Sequence, residues 1–117
     1  MVQPSVSYEH MITTGRLHPK MTLNERVWAL CARVPRGKVT TYAEIAHKLG
    51  TRAYRAVGNA LHKNPHAPAV PCHRVVGSTG NLIGFASGLR KKQQMLEAEG
   101  IVIRSGRFNL HKHMYRL

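Results

Sequence analysis

The sequence predicts an α+β fold of the winged helix-turn-helix type, mostly helical with small β hairpins. Apolar residues recur at helical spacing in several segments, two short helical segments are joined by a turn that contains a glycine, and short β-branched runs follow. With 117 residues, the chain has room for one domain with a single small core. Residues 1–20 lack periodicity and are predicted to form a flexible N-terminal arm, which leaves residues 21–117 as the domain.

The first helix is predicted to begin at a capping box, Thr22 to Glu25, and to end at a Pro-Arg-Gly-Lys turn. A second capping box, Thr41 to Glu44, starts a short helix that Gly50 closes. The third helix is predicted from about Ala53 to His62. The second and third helices indicate a helix-turn-helix, although an ordinary helical hairpin with solvated basic ends gives the same pattern.

The segment after the third helix is predicted to contain a loop and a small wing. Residues 63–71 include three prolines and read as loop. Val75 and Val76, the turn at residues 77–80, and Leu82 with Ile83 predict a short hairpin.

A fourth helix and a second hairpin are predicted to complete the domain. The helix runs from about Leu89 to Glu99 and is capped by Gly100. Residues 101–103 and 107–110 are predicted to pair around Ser105 and Gly106, and the basic residues after them to form a peripheral tail.

Charge is the strongest compositional signal. Eighteen Lys and Arg residues stand against five Asp and Glu residues, which gives a formal net charge of +13 and a pI near 10.8. Such an excess repels itself in a compact fold, so a polyanionic partner, nucleic acid, is predicted. An anionic membrane is disfavoured, because the sequence contains no long basic amphipathic helix and no apolar span. The protein is expected to be intracellular, in nucleus or cytoplasm according to its source.

The two cysteines lie in different contexts. Cys31 follows an apolar helical face and is predicted to be a core residue. Cys72 follows Pro71 and directly precedes His73 and Arg74, and a neighbouring base or cation favours the reactive thiolate. On this pattern alone, a structural cysteine with surface His and Arg neighbours stays an open alternative.

The surroundings of Cys72 extend this pattern. The run from Val70 to Gly77, preceded by Asn64-Pro65, resembles the active-site signature of the O6-alkylguanine-DNA alkyltransferases. The resemblance spans about residues 21–110 and suggests that family's C-terminal domain. It continues in order through Tyr42, Arg55-Ala56-Val57-Gly58, the segment 84–89, and Glu99-Gly100.

The resemblance implies direct-reversal DNA repair by a single-turnover methylated-DNA–protein-cysteine S-methyltransferase. Cys72 is the implied nucleophile, which keeps the alkyl group from O6 of guanine as a thioether. His73 is implied to take the thiol proton through a water, with Glu99 orienting the imidazole. Tyr42 is implied to protonate guanine N3, and Asn64 to hold the active-site turn. No cofactor and no metal are expected, because the protein itself accepts the alkyl group.

The same resemblance implies how duplex DNA containing O6-alkylguanine is bound. The base is flipped out of the duplex, and Arg55 fills the gap that it leaves. The third predicted helix is the recognition helix, which enters the minor groove. Small residues such as Gly58 fit a close approach to DNA, with helix packing inside the domain as the alternative. A monomer is expected, and cooperative binding of several copies on DNA stays open. The further residues implied at the DNA surface are Thr41, Tyr42, Arg52, Ala56, Lys63 and Arg74.

A base pocket is implied beside Cys72. Phe85 stands where the family commonly has tyrosine, so it cannot donate a hydrogen bond to O6, and slower alkyl transfer is expected than in a Phe85→Tyr variant. The residues implied to line the pocket are Leu61, Val75, Val76, Phe85, Ala86, Ser87 and Gly88.

Two other functions compete with alkyl transfer. Only about twenty residues stand where family members usually carry an N-terminal domain, and short alkyltransferase-like proteins bind O6-alkylguanine without reacting. Those proteins typically lack the reactive cysteine, whereas this chain has Cys72, His73, Glu99 and Tyr42. A plain winged-helix regulator of DNA would leave the Pro-Cys-His-Arg context unexplained.

Overall fold

The computed structural model describes residues 7–80, 82, 88–105 and 107–117. Within these residues the structure has six α-helices, one 3₁₀ turn and two short strands. In chain order they are α1 (Glu9–Thr13), α2 (Leu23–Ala32), β1 (Thr40–Thr41), α3 (Tyr42–Lys48), α4 (Tyr54–His62), a 3₁₀ turn (Cys72–Arg74), β2 (Val75–Val76), α5 (Leu89–Ala98) and α6 (Leu110–His113).

The predicted helix starts are largely confirmed. At α2, the Thr22 hydroxyl accepts from the Glu25 amide at 3.2 Å, and the Glu25 carboxylate accepts from the Thr22 amide at 2.9 Å. At α3, the Thr41 hydroxyl accepts from the Glu44 amide at 3.0 Å. The Glu44 carboxylate accepts instead from the Leu117 amide at 2.9 Å, so the second capping box is half formed.

The predicted helix-turn-helix is formed by α3 and α4. Gly50 closes α3 with a φ of +73°, a value that glycine adopts without strain. The inner face of α4 buries Val57, Ala60 and Leu61, because these residues recur at helical spacing toward the core. Trp28 on α2 donates from Nε1 to the Ala60 carbonyl at 2.7 Å and so ties α4 to the first helix.

A small sheet connects the helix-turn-helix to the residues that follow Cys72. Strands β1 and β2 pair in parallel, with Thr40 opposite Val75. The turn predicted at residues 77–80 is confirmed by a 3.0 Å bond from the Gly80 amide to the Gly77 carbonyl. Ile83, in the predicted partner strand of the wing, lies outside the described residues. The pairing with β1 is a non-local contact that the sequence pattern did not predict.

The N-terminal segment differs from the flexible arm predicted over residues 1–20. Residues 9–13 form α1, which packs against α2. Ile12 is buried in the core, and the Arg33 Nε donates to the Gly15 carbonyl at 2.8 Å. Two adjacent apolar side chains, Met11 and Ile12, are too weak a pattern to predict a helix in a short segment, but α2 supplies the apolar surface that stabilises it.

The C-terminal segment also differs from its prediction. Among the described residues, the hairpin around Ser105 consists of one residue pair, Arg104 with Arg107, joined by backbone bonds of 2.8 and 3.0 Å. Leu110, predicted to be the last residue of the hairpin, is instead the first residue of α6. The residues after it are not peripheral, because the Tyr115 amide donates to the Val39 carbonyl at 2.7 Å and thereby extends the backbone pairing next to β1.

The core consists of two apolar clusters that meet at β2. One lies among α1 to α4 and includes Val75, with Cys72 packed at its edge. The other lies beneath α5 and includes Val76 and Leu96. Because successive strand residues point to opposite faces, β2 contributes to both clusters and fixes the turn that precedes it. In the described part of the chain, no helix has the length and apolar character that crossing a membrane requires.

Candidate active site

The backbone around Cys72 is held by the loop that precedes it. The Asn64 side chain donates from Nδ2 to the Val70 carbonyl at 2.8 Å and accepts the His66 amide at 2.8 Å. The Cys72 amide also donates to the Val70 carbonyl, at 2.9 Å. These bonds place Asn64 where the resemblance expects it, against the loop that leads into the active-site turn.

The structure brings His73 and Glu99 together although 26 residues separate them. His73 Nε2 lies 2.9 Å from Glu99 Oε2, and both side chains are almost fully buried. Glu99 is the C-terminal capping residue of α5, and His73 lies in the 3₁₀ turn. The contact between α5 and this turn therefore assembles the pair.

Electrostatics favour an ionised Glu99 beside a neutral His73. Burial alone raises the pKa of Glu99, but hydrogen bonds from Arg74 and His73 outweigh it and lower the pKa to about 2. Burial lowers the pKa of His73 below its ordinary value, and the bond to Glu99 offsets this only in part. An ionised carboxylate only accepts hydrogen bonds, so the neutral imidazole carries its proton on Nε2. The basic nitrogen of His73 is then Nδ1.

Arg74 was predicted at the DNA surface, but its side chain bonds to groups inside the protein. Its Nε and Nη2 donate to the two carboxylate oxygens of Glu99 at 2.9 and 2.8 Å, and its Nη1 donates to the Val34 carbonyl at 2.8 Å. The guanidinium therefore points into the protein, which contradicts its predicted role in contacting DNA. A bidentate Arg–carboxylate pair of this kind fixes both side chains.

Lys92 is a site residue that the sequence reasoning missed. It is fully buried, its Nζ donates to the Val75 carbonyl at 2.6 Å, and it lies 3.5 Å from the Tyr42 hydroxyl. Burial lowers the pKa of Lys92 to about 8 and raises the pKa of Tyr42 to about 12. Lys92, Leu96 and Glu99 are spaced as one helical face, so a lysine in line with a core leucine was the signal available in the sequence.

The two cysteines differ in access. Cys31 is fully buried, as predicted, and burial raises the pKa of its thiol further above the ordinary value. Cys72 is half-buried. Of the two thiols, Cys72 is the one that is accessible to solvent.

The outer face of α4 is basic and open. Arg52, Arg55 and Lys63 are exposed, and Ala56 is half-buried. A Cβ added to Gly58 meets no heavy atom of the described residues within 4 Å. Within the part of the chain that the structure describes, no side chain packs against Gly58, which does not support the alternative that Gly58 serves helix packing inside the domain.

The residues predicted for the base pocket differ in burial. Gly88 is exposed, whereas Leu61, Val75 and Val76 are buried and belong to the apolar clusters. Phe85, Ala86 and Ser87 lie outside the described residues. Thr41, predicted at the DNA surface, is buried, and its hydroxyl caps the start of α3.

An open cleft adjoins the tyrosine of the site. It has a volume of about 380 Å³ and lies between the first residues of α3 and the turn after β2. Its lining residues are Tyr42, Ala43, Tyr54, Gly77 and Ser78. Among the described side chains, no group of three or more His, Cys, Asp or Glu residues has an arrangement that could hold a metal ion.

Comparison with protein families gives a match over most of this domain. Residues 22–101 match the family model of the 6-O-methylguanine DNA methyltransferase, DNA binding domain. The chain is similar to the methylated-DNA–protein-cysteine methyltransferase of Methanosarcina barkeri, with 48% identity over 86 residues, which are 72% of this chain and 54% of that protein. The protein of the same name from Mycobacterium leprae is 47% identical over 76 residues, 64% of this chain and 46% of that protein. The chain thus spans about half the length of these curated relatives.

Solved structures resemble the fold. S. pombe Atl1, solved in complex with damaged DNA containing O6-carboxymethylguanine, matches with a TM-score of 0.71 and 31% identity, over 83% of this chain and 100% of that one. Mycobacterium tuberculosis OGT in complex with DNA matches with a TM-score of 0.65 and 36% identity, over 78% of this chain and 62% of that one. With the family model matched over residues 22–101, the chain belongs to the 6-O-methylguanine DNA methyltransferase family, through that family's DNA-binding domain.

Proposed function

We propose that this protein repairs O6-alkylguanine in duplex DNA by transferring the alkyl group to Cys72 in a single turnover. The observation that carries the proposal is the buried network of His73, Glu99 and Arg74 directly after the half-buried Cys72. The names of the relatives from Methanosarcina and Mycobacterium support the same reaction.

The reaction begins with activation of the thiol. His73 accepts the Cys72 proton at Nδ1 through a water, and the ionised Glu99 stabilises the imidazolium that forms. The thiolate sulfur then attacks the alkyl carbon, so that a C–S bond forms as the bond from carbon to guanine O6 breaks.

The departing guanine requires a proton to leave as a neutral base. Tyr42 donates its phenolic proton to N3, and the nearby ammonium of Lys92, 3.5 Å from the Tyr42 oxygen, stabilises the phenolate until it is reprotonated. The products are unmodified guanine and a thioether on Cys72. A thioether has no easy route back to a thiol, so each molecule reacts once.

DNA is bound through α4 and the basic surface. The protein binds as a monomer, and its recognition helix α4 enters the minor groove. Arg55 takes the place of the flipped nucleotide, and Gly58 allows the DNA backbone to approach the helix. A formal charge of +13 supplies affinity mainly through phosphate contacts, which suits a protein that finds lesions in any sequence.

A lesion sensor without transfer activity is the second candidate. One observation favours it: the structure of S. pombe Atl1 with damaged DNA is matched over its whole length. The complete set of Cys72, His73, Glu99 and Tyr42 favours transfer, because a sensor needs no nucleophile and no proton acceptor.

The test is intact-protein mass spectrometry after mixing with a duplex that contains one O6-methylguanine. We expect a stoichiometric gain of one methylene in the wild type and in Cys31→Ser, and no gain in Cys72→Ala. Lesion-selective binding without a mass change assigns the protein to the sensors. If neither a mass gain nor lesion preference is observed, both proposals are wrong.

A further inference from the structure

The segment after the family match lies against the DNA-binding end of the fold. The match ends at residue 101, yet the Val39 amide donates to the His113 carbonyl at 3.0 Å and the Tyr115 amide donates to the Val39 carbonyl at 2.7 Å. Val39 directly precedes β1, and β1 runs into α3. The segment 110–117 is thereby held beside the first residues of the helix-turn-helix.

Further contacts fix both ends of this segment. The Phe108 amide donates to the Gly80 carbonyl at 3.4 Å, which joins the approach to the segment to the turn after β2. At the other end, the Leu117 amide donates to Glu44 at 2.9 Å and Arg116 Nη1 lies 3.4 Å from the same carboxylate. The Arg116 side chain is 75% exposed, so its guanidinium is oriented by Glu44 and still faces solvent.

A pocket of about 370 Å³ opens between this segment and the turn after β2. Its polar lining consists of three hydroxyl groups, one imidazole and one guanidinium, and none of its lining residues is acidic. Leu110 and Met114 form its apolar part. The polar lining residues are Thr41, Ser78, Thr79, His111 and Arg116.

This lining has the chemistry of a phosphate site. Guanidinium and hydroxyl donors are the groups that contact phosphate oxygens in protein–DNA interfaces. The pocket also adjoins the cleft beside Tyr42, because Ser78 lines both cavities. A DNA strand whose flipped base enters toward Tyr42 therefore passes a backbone phosphate close to this pocket.

We propose that the segment 110–117 completes a DNA-phosphate site, in which Arg116, His111 and Ser78 bind one phosphate of the strand that carries the lesion. This inference rests on the proposed DNA binding and deepens it, since it assigns a role to His111 and Arg116, which lie outside the family match.

The first test measures the salt dependence of binding to a labelled duplex. In Arg116→Ala we expect affinity to fall about three- to tenfold and the slope of log K against log salt to fall by about one, the effect of one lost phosphate contact. Ser78→Ala is expected to weaken binding less, because it removes a neutral donor. Arg104→Ala is the matched control, since it removes the same charge from an exposed residue outside this pocket and is expected to leave the slope near that of the wild type.

The second test locates the phosphate. Neutral methylphosphonates are placed one at a time along the lesion strand, and binding of wild type and Arg116→Ala is compared at each position. We expect one position at which the methylphosphonate weakens DNA binding by the wild type and leaves DNA binding by Arg116→Ala nearly unchanged. The inference is overturned if no position shows this coupling, or if Arg104→Ala shows it equally. If the wild type does not bind duplex DNA at all, the proposed function is wrong as well. If the wild type binds DNA and transfers the alkyl group but shows no such coupling, only the proposed phosphate site is wrong.

Discussion

The network around Glu99 and the outer face of α4 differ in how their polar groups are held. Glu99 accepts hydrogen bonds from His73 and Arg74 inside the protein, and the Gly37 amide lies 3.4 Å from the same carboxylate. Arg55 on α4 is exposed, and no described residue packs against Gly58. The groups proposed to react are therefore held in place without DNA, whereas the proposed DNA-binding face offers charge and room for a partner.

Removing the central carboxylate is expected to produce the largest effect. Glu99→Gln leaves His73 without its charged partner and Arg74 buried beside a neutral group, so the rate of alkyl transfer should fall about a thousandfold. Single-turnover transfer at saturating protein measures it. Glu97→Gln, an exposed neighbour on α5, is the control and should react at the wild-type rate. Equal rates for the two variants would show that Glu99 has no part in activating Cys72.

The same carboxylate is expected to govern stability in acid. The folded-state pKa of Glu99, about 2, lies below its ordinary value of 4.5, so its contribution is complete above pH 4.5 and is lost as the pH falls toward 2. The loss is on the order of 3 kcal/mol of unfolding free energy. Urea unfolding across this range should show a steeper decline in the wild type and in Glu97→Gln than in Glu99→Gln. Parallel curves for all three proteins would contradict the assignment.

Lys92 tests whether transfer can be changed without changing DNA binding. Because Lys92 contacts Tyr42 from inside the fold, Lys92→Met should slow transfer about tenfold and leave duplex affinity unchanged. Lys91→Met, at an exposed position of the same helix, is the control and should transfer the alkyl group at the wild-type rate. Rates and affinities come from the same labelled lesion duplex. A loss of affinity in Lys92→Met with an unchanged saturating rate would reverse the distinction between the two regions.

Gly58→Ala is expected to have the smallest effect, and it should raise the melting temperature while it lowers the affinity for DNA. Alanine favours a helix over glycine by up to about 1 kcal/mol, and open space at Gly58 accepts the methyl group, so the melting temperature should rise. The same methyl group stands where DNA approaches α4, so affinity should fall severalfold. If stability rises and affinity is unchanged, α4 does not approach DNA at this residue.

Local signals were predicted well from the sequence, and non-local contacts were not. The bonds between Thr22 and Glu25 involve residues three positions apart, so the sequence carries them completely. The inward turn of Arg74 depends on Glu99, 25 residues away, and on the Val34 carbonyl, 40 residues away. The pairing of Val39 with Met114 spans still more of the chain. The resemblance assigned His73 and Glu99 to one site, but it carried no information about the buried Lys92.

The position of Trp28 gives the protein an optical reporter. It is the single tryptophan of the chain, its indole N–H is bonded to the Ala60 carbonyl of α4, and its ring meets His66 edge-on with centroids 5.6 Å apart. His66 lies in the loop that leads to Cys72, so one fluorophore touches both the recognition helix and the approach to the nucleophile. Its intrinsic emission should therefore register DNA docking and the later modification of Cys72 as separate events in one stopped-flow trace, without any label on protein or DNA.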